Sequence, residues 1–423
     1  MTVDMVYPTF TKEIGKYSAT VRDVHQQLES EYESVGWLYD PLENHAALLG
    51  RIEQVAQEIQ LMADVLVVVG IGGSYLGAKA IQTALSPYFE RATCSVIYIG
   101  HNLSAAYTEQ LLRTLDGKRV YVNAISKSGT TFESAIAFRI VRQYMEKRYD
   151  DAASRIIVTT DAKTGRLKQL AEHHGYRQFT IPMTIGGRYS VLTPVGLLPL
   201  AVAGINITEL MRGAKDATVA LNEPRLAHNP AYHYAAMRHL LYKAGYRLEL
   251  LATFEPSLTY FQQWWTQLFA ESEGKGGQGL YPCGVQFPTD LHSIGQFIQD
   301  GSPVLFETVL HVNEVATDFA VPFDVMNLDR LNYVAERGLQ ELTTIAKNGV
   351  TAAHREANVP IIELQIARLD AYHIGYLCYF FMKACAMSAL LLQVNPFDQP
   401  GVEAYKKKIQ ALLEKTTHHA ASS

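Results

Sequence analysis

Val65-Leu-Val-Val-Val69 empties directly into Gly70-Ile-Gly-Gly-Ser-Tyr-Leu-Gly77, and this passage from strand to glycine loop decides how the chain is read. A β-branched run that stops at glycines and restarts as a helix leaves unpaired backbone N–H groups and a positive dipole end facing any anion placed there. A second strand-like run, Arg119 to Ile125, ends in Ser126-Lys-Ser-Gly-Thr-Thr131, which adds four hydroxyls and a lysine. Two such loops in one domain point to a bound phosphate. Hydroxyls around one flexible lysine suit a terminal phosphomonoester better than a diphosphate, so the expected ligand is a phosphorylated metabolite.

Outward from that passage the chain alternates. Strands are expected at Val65 to Val69, Ser95 to Ile99, Arg119 to Ile125 and Arg155 to Thr159, with helices near Ala78 to Leu85, Ala105 to Leu112 and Phe132 to Arg148 between them. That order marks a parallel sheet sandwiched by helices, with ligands at the carboxyl ends of its strands. Helical spacing precedes it up to Met62, and a proline- and glycine-punctuated stretch, Thr180 to Gly204, reads as a junction. Helices near Thr208 to Leu221 and His228 to Lys243 then lead to strands at Leu248 to Phe254, Val304 to Val312 and Ile361 to Leu364, a second α/β domain. The tail after Lys415 reads as disordered.

Composition narrows the function. The 423 residues are 48% apolar with a net charge of −5 and no basic stripe, which argues against nucleic acid as partner. The N-terminus lacks an apolar signal region, and Cys94, Cys283, Cys378 and Cys385 form no C-x-x-C pair, so a cytoplasmic protein with reduced thiols is expected. Ile374 to Leu392 is long and apolar enough for a membrane span, but Lys383 at its centre and several small residues favour a buried helix. No H-E-x-x-H or other dense ligand pattern accompanies the 14 histidines, so no metal is expected.

Nucleotide readings of the first loop fail on detail. Gly70, Gly72 and Gly77 do not space as G-x-G-x-x-G, and Gly100-His101-Asn102 stands where a ribose-binding acid belongs; Ala78 before Lys79 spoils the Walker pattern. Elsewhere, Glu271 and Glu273 stand beside Gly274-Lys-Gly-Gly-Gln-Gly279 after an aromatic helix. They are either bases in a ligand cavity or the solvated end of a helix before a flexible loop. Arg188, in Gly186-Gly-Arg-Tyr-Ser190, is either a fixed cation for developing oxyanion charge or half of an interdomain salt bridge. His292 is either a proton donor to a ring oxygen or a hydrogen-bonded core residue.

These segments closely resemble the glucose-6-phosphate isomerase (phosphoglucose isomerase) family in its shorter bacterial form, from about Val65 to Lys408. Gly186-Gly-Arg-Tyr-Ser-Val-Leu-Thr-Pro-Val-Gly196 and Phe397-Asp-Gln-Pro-Gly-Val-Glu-Ala-Tyr-Lys406 match its two signature stretches in order and spacing. The resemblance implies two sugar-isomerase (SIS-type) three-layer α/β/α domains with parallel sheets at 46–190 and 191–395. A helical segment at 1–45 and another with a disordered tail at 396–423 would flank them. It implies cofactor-free interconversion of glucose 6-phosphate and fructose 6-phosphate. Glu271 would be the base that moves a proton between C2 and C1 through a cis-enediol, and Arg188 would stabilise the enediolate. His292 would open the ring with Lys406 nearby. Ser126, Lys127, Ser128, Thr130 and Thr131 would hold the phosphate, and Gly73, Ser74 and Gln267 would complete the pocket. Glu133 would orient His292, which in this family arrives from the partner subunit, so a homodimer is implied. Ser128-Gly129 and Glu273 depart from the longer members without removing a catalytic group. Another phosphosugar aldose–ketose isomerase and a non-catalytic sugar-phosphate sensor are the competing functions. A nicotinamide oxidoreductase would need the dinucleotide fingerprint that the first loop lacks.

Overall fold

Short apolar strands alternating with helices build two five-stranded sheets in the computed structural model, which describes residues 2–5, 13–30, 32–89 and 92–420. The chain opens with strand β1 (Thr2–Met5) and helices α1 (Ser18–Ser30) and α2 (Ala46–Met62). The first α/β unit follows as β2 (Val65–Val69), α3 (Leu76–Leu85), β3 (Ser95–Ile99), α4 (Ala105–Leu115), β4 (Val120–Ile125), α5 (Phe132–Arg148), β5 (Ile156–Asp161), α6 (Arg166–His174) and β6 (Arg177–Ile181). Its sheet is parallel throughout, in the order β3-β2-β4-β5-β6.

The all-apolar β2 has a physical reason, since both of its faces are covered. Val65, Val67 and Val69 pack with α4, α5 and α6, whereas Leu66 and Val68 join the large core shared with α2 and α3. The helices that follow β2 and β4 therefore lie on opposite faces, and the glycine loop and the hydroxyl loop meet at the crevice where such sheets bind ligands.

Helices α7 (Pro194–Val202), α8 (Ile207–Ala220) and α9 (Pro230–Lys243) lead to β7 (Leu248–Thr253), α10 (Thr259–Glu273), β8 (Tyr281–Gln286), α11 (Gly295–Asp300), β9 (Leu305–Glu314), α12 (Leu339–Glu356) and β10 (Ile361–Arg368). The second sheet runs β1-β10-β9-β7-β8, parallel except for β1, which pairs antiparallel on the β10 edge. Helices α13 (Ala371–Leu391) and α14 (Pro400–Ala420) end the chain. The long apolar stretch is α13, which is buried among α1, α8, α9 and α10 and serves as a core helix.

Four expectations change. The 1–45 segment begins as a strand, because four residues give no helical spacing to read and the open edge of β10 offers them ladder partners. The stretch read as a junction contains α7, apolar on every side and wholly buried, so it has no amphipathic period. Strand β8 carries Pro282 and Gly284, which disguise it; it is tolerated because β8 is an edge. The tail stays helical as far as Ala420, since extending an existing helix is far easier than starting one, and 421–423 lie outside the described residues.

Candidate active site

Helix α10 buries Trp264, Trp265, Leu268, Phe269 and Ser272, and this register turns Gln267 and Glu271, four residues apart, out of the core along one side. Gln267 Nε2 donates to Glu271 Oε1 at 2.9 Å, and Gln399 Nε2, one residue before α14, donates to Oε2 at 3.0 Å. Arg188 Nη1 completes the set with a bond to Oε2 at 3.3 Å. The carboxylate is fixed on three sides yet keeps 27% of its side-chain surface open.

Arg188 is itself buried. Its Nε donates to Ser272 Oγ at 2.8 Å and its Nη2 to the Pro396 carbonyl. The neighbouring Tyr189 stacks on Trp37 with centroids 4.8 Å apart and meets Phe397 at 5.6 Å, which locks the short turn Gly187–Tyr189. A permanently charged guanidinium with so little freedom beside a partly open carboxylate is a ready pair of base and oxyanion stabiliser. The salt bridge read from the sequence is therefore the Arg188–Glu271 pair itself.

The same 182–190 segment gathers both loops. A side chain on Gly73 would collide with the Gly187 carbonyl, so only glycine lets the Gly72–Ser74 turn sit against Arg188. Gln267 also lies against Gly72. In the second loop, Ser126 Oγ accepts from Gly129 N at 3.0 Å, and the hydroxyls of Ser128 and Thr130 bond each other at 2.8 Å. Thr131 heads α5 without using its hydroxyl as a cap, leaving that group free for another acceptor. Lys127 behaves differently from a lysine aimed at phosphate: Nζ donates to the Met183 carbonyl at 2.6 Å and more weakly to Ile185. Burial lowers its pKa, and Asp161 opposes that shift.

Other sequence candidates are not gathered within one chain. His292 ends a short turn after β8 and is exposed, and its imidazole makes no hydrogen bond among the described residues. Glu133, in the first turn of α5, does not bond to it, and Lys406 on α14 is exposed and paired with Glu403 at 2.9 Å. Glu273 leaves the site altogether. It is fully buried with Arg238, which also binds Glu249 and Ser388, so it is a core ion pair and not a solvated helix end. The glycine loop after α10 is tied down as well, since Lys275 bonds Asp398 at 3.0 Å and the carbonyls of Ser272 and Asn395. Ser272 and Gln399 are the contacts to the Arg188–Glu271 pair that residue-by-residue reading missed. Gln399 lies inside the second signature stretch, which was the available signal.

A model of the phosphoglucose isomerase family matches residues 53–319. The chain belongs to that family. It is 48% identical to the glucose-6-phosphate isomerase of Shouchella clausii, over 95% of this chain and 92% of that one. Among solved structures, a hypothetical protein from Thermus thermophilus superposes with a TM-score of 0.87 at 26% identity, covering 97% of this chain and all of its own. The glucose-6-phosphate isomerase of Chlamydia trachomatis shares the fold at 18% identity, with a TM-score of 0.79 over 96% of this chain and 86% of that one. In this phosphoglucose isomerase family chain, both stretches that resemble the family's signatures touch Glu271, one through Arg188 and the other through Gln399.

Proposed function

We propose that the chain interconverts glucose 6-phosphate and fructose 6-phosphate by ring opening and single-base proton transfer, without a cofactor. The observation that carries this reading is the Glu271 carboxylate, held by Gln267, Arg188 and Gln399 beside the two phosphate-type loops. Glu271 takes the proton from C2 of the open-chain aldose and returns it at C1 of the cis-enediol, and Arg188 balances the charge on the enediolate oxygen. The hydroxyls of Ser126, Ser128, Thr130 and Thr131 hold the phosphate with Lys127, which must first leave the Met183 carbonyl. Gly73 and Ser74 close the pocket with Gln267. The two sheets support SIS-type units at 46–190 and 191–395.

Ring opening falls to His292 and Lys406, and the exposure of His292 supports its use by a second copy of the chain in a cytoplasmic homodimer. Glu133 then accepts the other imidazole N–H across the interface. An arm between β9 and α12 supports the dimer further. It is closed on itself by backbone bonds between Val321 and Arg337 and between Glu336 and Val321, yet it leaves Phe319, Phe323, Val325, Met326, Leu328 and Tyr333 exposed. So much apolar surface on one projection calls for a partner.

Glucose 6-phosphate formation from fructose 6-phosphate, followed through a coupled dehydrogenase in the presence of a chelator, tests the function. Activity on this pair is expected to exceed that on other phosphosugar aldose–ketose pairs by about 10³-fold or more, because a site built to bond particular hydroxyls rejects mismatched ones strongly. Faster turnover of a different pair would reassign the substrate.

A further inference from the structure

On the face of the first sheet away from Glu271, a cavity of about 250 Å³ opens between α5 and α6. Val69 and Ala124 floor it and belong to the core on that face, whereas α10 packs against α3 on the other. Ser126 and Gly129 form a wall that the cavity shares with the hydroxyl loop. Three guanidinium groups, Arg139, Arg142 and Arg166, line it, and no carboxylate does. Arg142 is turned toward His174 at 3.0 Å and pairs with the Glu146 carboxylate at 3.8 Å, while the exposed side chains of Arg139 and Arg166 have no hydrogen bond or ion pair among the described residues. Arg139 and Arg166 thus leave two unpaired guanidinium forks at the mouth of the hollow, and such forks match carboxylate and phosphate oxygens. Phe138, Leu167 and Leu170 give the same hollow an apolar side that suits a short carbon body.

We propose that this cavity binds a small organic polyanion carrying two or three carboxylate or phosphate groups, and that its occupancy weakens binding of the substrate phosphate. The coupling has two routes. Charge held behind Ser126 repels the phosphate in front of it. The loop and α6 are also mechanically joined: Arg166 N donates to the Ser128 carbonyl at 3.0 Å, and Gly129, with φ of +71°, presses against the backbone of Leu167. An anion that draws Arg166 inward therefore moves the loop.

Binding at the cavity stands apart from the isomerase reading; the kinetic consequence rests on it. The test is calorimetric titration of the full chain with citrate and with 3-phosphoglycerate, the two arms separating carboxylate from phosphate recognition. It is run on the parent, on Arg139→Ala/Arg166→Ala and on Ser128→Ala/Thr130→Ala. Citrate is expected to bind the parent and the loop variant alike and the arginine variant at least about tenfold more weakly, as loss of charge-assisted bonds requires. With the parent, citrate should raise KM for fructose 6-phosphate by about fivefold at unchanged kcat, the low end of ordinary coupling between sites. The arginine variant should lose that effect while keeping its basal activity. Equal citrate affinity in the parent and the arginine variant would overturn the proposal. Loss of binding in the loop variant would overturn it too, by assigning the anion to the phosphate loop.

Discussion

Glu271 and Glu273 lie two residues apart on one helix and have opposite fates, decided by what each carboxylate meets. Glu271 faces the crevice, with three donors and an open side. Glu273 faces inward, where Arg238 holds it and Glu249 together and Tyr234 and Thr308 supply further bonds to Glu249. Removing one member of a buried ion cluster leaves an uncompensated charge in a place water cannot reach. Glu273→Ala should therefore lower the unfolding free energy by about 3–5 kcal/mol in urea denaturation, whereas Glu271→Gln should change it by less than about 1 kcal/mol. Near-equal stabilities for the two variants would show that the buried cluster is not sustaining the fold.

Lys383 is the other buried charge that stands out, at the middle of α13, with its Nζ unpartnered among the described residues and 5.7 Å from the ring of Tyr232. Burial brings its pKa down to about 8, although the Glu29 carboxylate pulls the other way. Compared with 10.5 in the unfolded chain, the lowered value means that the charged form costs stability below pH 8, and that this cost fades as pH rises toward 10.5. At about 1.4 kcal/mol per unit the full cost is about 3–4 kcal/mol. Lys383→Met should accordingly be more stable than the parent by about 2–3 kcal/mol at pH 7, with the margin shrinking between pH 8 and 10. A margin constant across that range would contradict an ammonium buried without a partner.

At the scale of elements, the legible parts were those whose physics is local. The run Val65–Val69, the glycine and hydroxyl loops, and the alternation through β5 are each written in consecutive residues, and the structure places strands, loops and helices there. Helix α7 and strand β8 escaped because their residues answer to distant neighbours: α7 is apolar all round, and β8 carries a proline that only an edge position excuses. The role of Glu273 was illegible for the same reason, since Arg238 lies 35 residues away on α9. Arg188 was legible as a cation within a signature, yet Ser272, which steers its Nε, carried no signal of its own. Interlocking of α10 with the Arg188 turn leads to a further expectation. Ser272→Ala should lower kcat by about tenfold with little change in KM, since it frees the guanidinium proposed to balance the charge that develops on the enediolate. A change confined to KM, measured in the isomerase assay, would place that contact in substrate binding.

Across the whole molecule, the two sheets share a plan. Leaving aside the edge strand β1, the strand that opens each α/β run lies inside its sheet with the next two strands on either side, β3 and β4 flanking β2, and β8 and β9 flanking β7. The segment after β2 supplies Gly73 and Ser74, and the helix after β7 supplies Gln267 and Glu271, so one crevice draws on the same position in both halves. The apolar arm belongs to this scale too. In the proposed dimer, Phe323→Glu/Val325→Glu should favour the monomer in sedimentation velocity and reduce activity by about 10²-fold or more, as loss of a proton-transfer group does. An active monomer would remove His292 of a second copy from the reaction. Whether Glu271 carries the proton is decided by proton NMR of fructose 6-phosphate in deuterated water with the parent and with Glu271→Gln. Glucose 6-phosphate carrying deuterium at C2 is expected with the parent, and a rate lower by about three orders of magnitude or more in the variant. Undiminished product and exchange in Glu271→Gln would contradict Glu271 as the proton carrier.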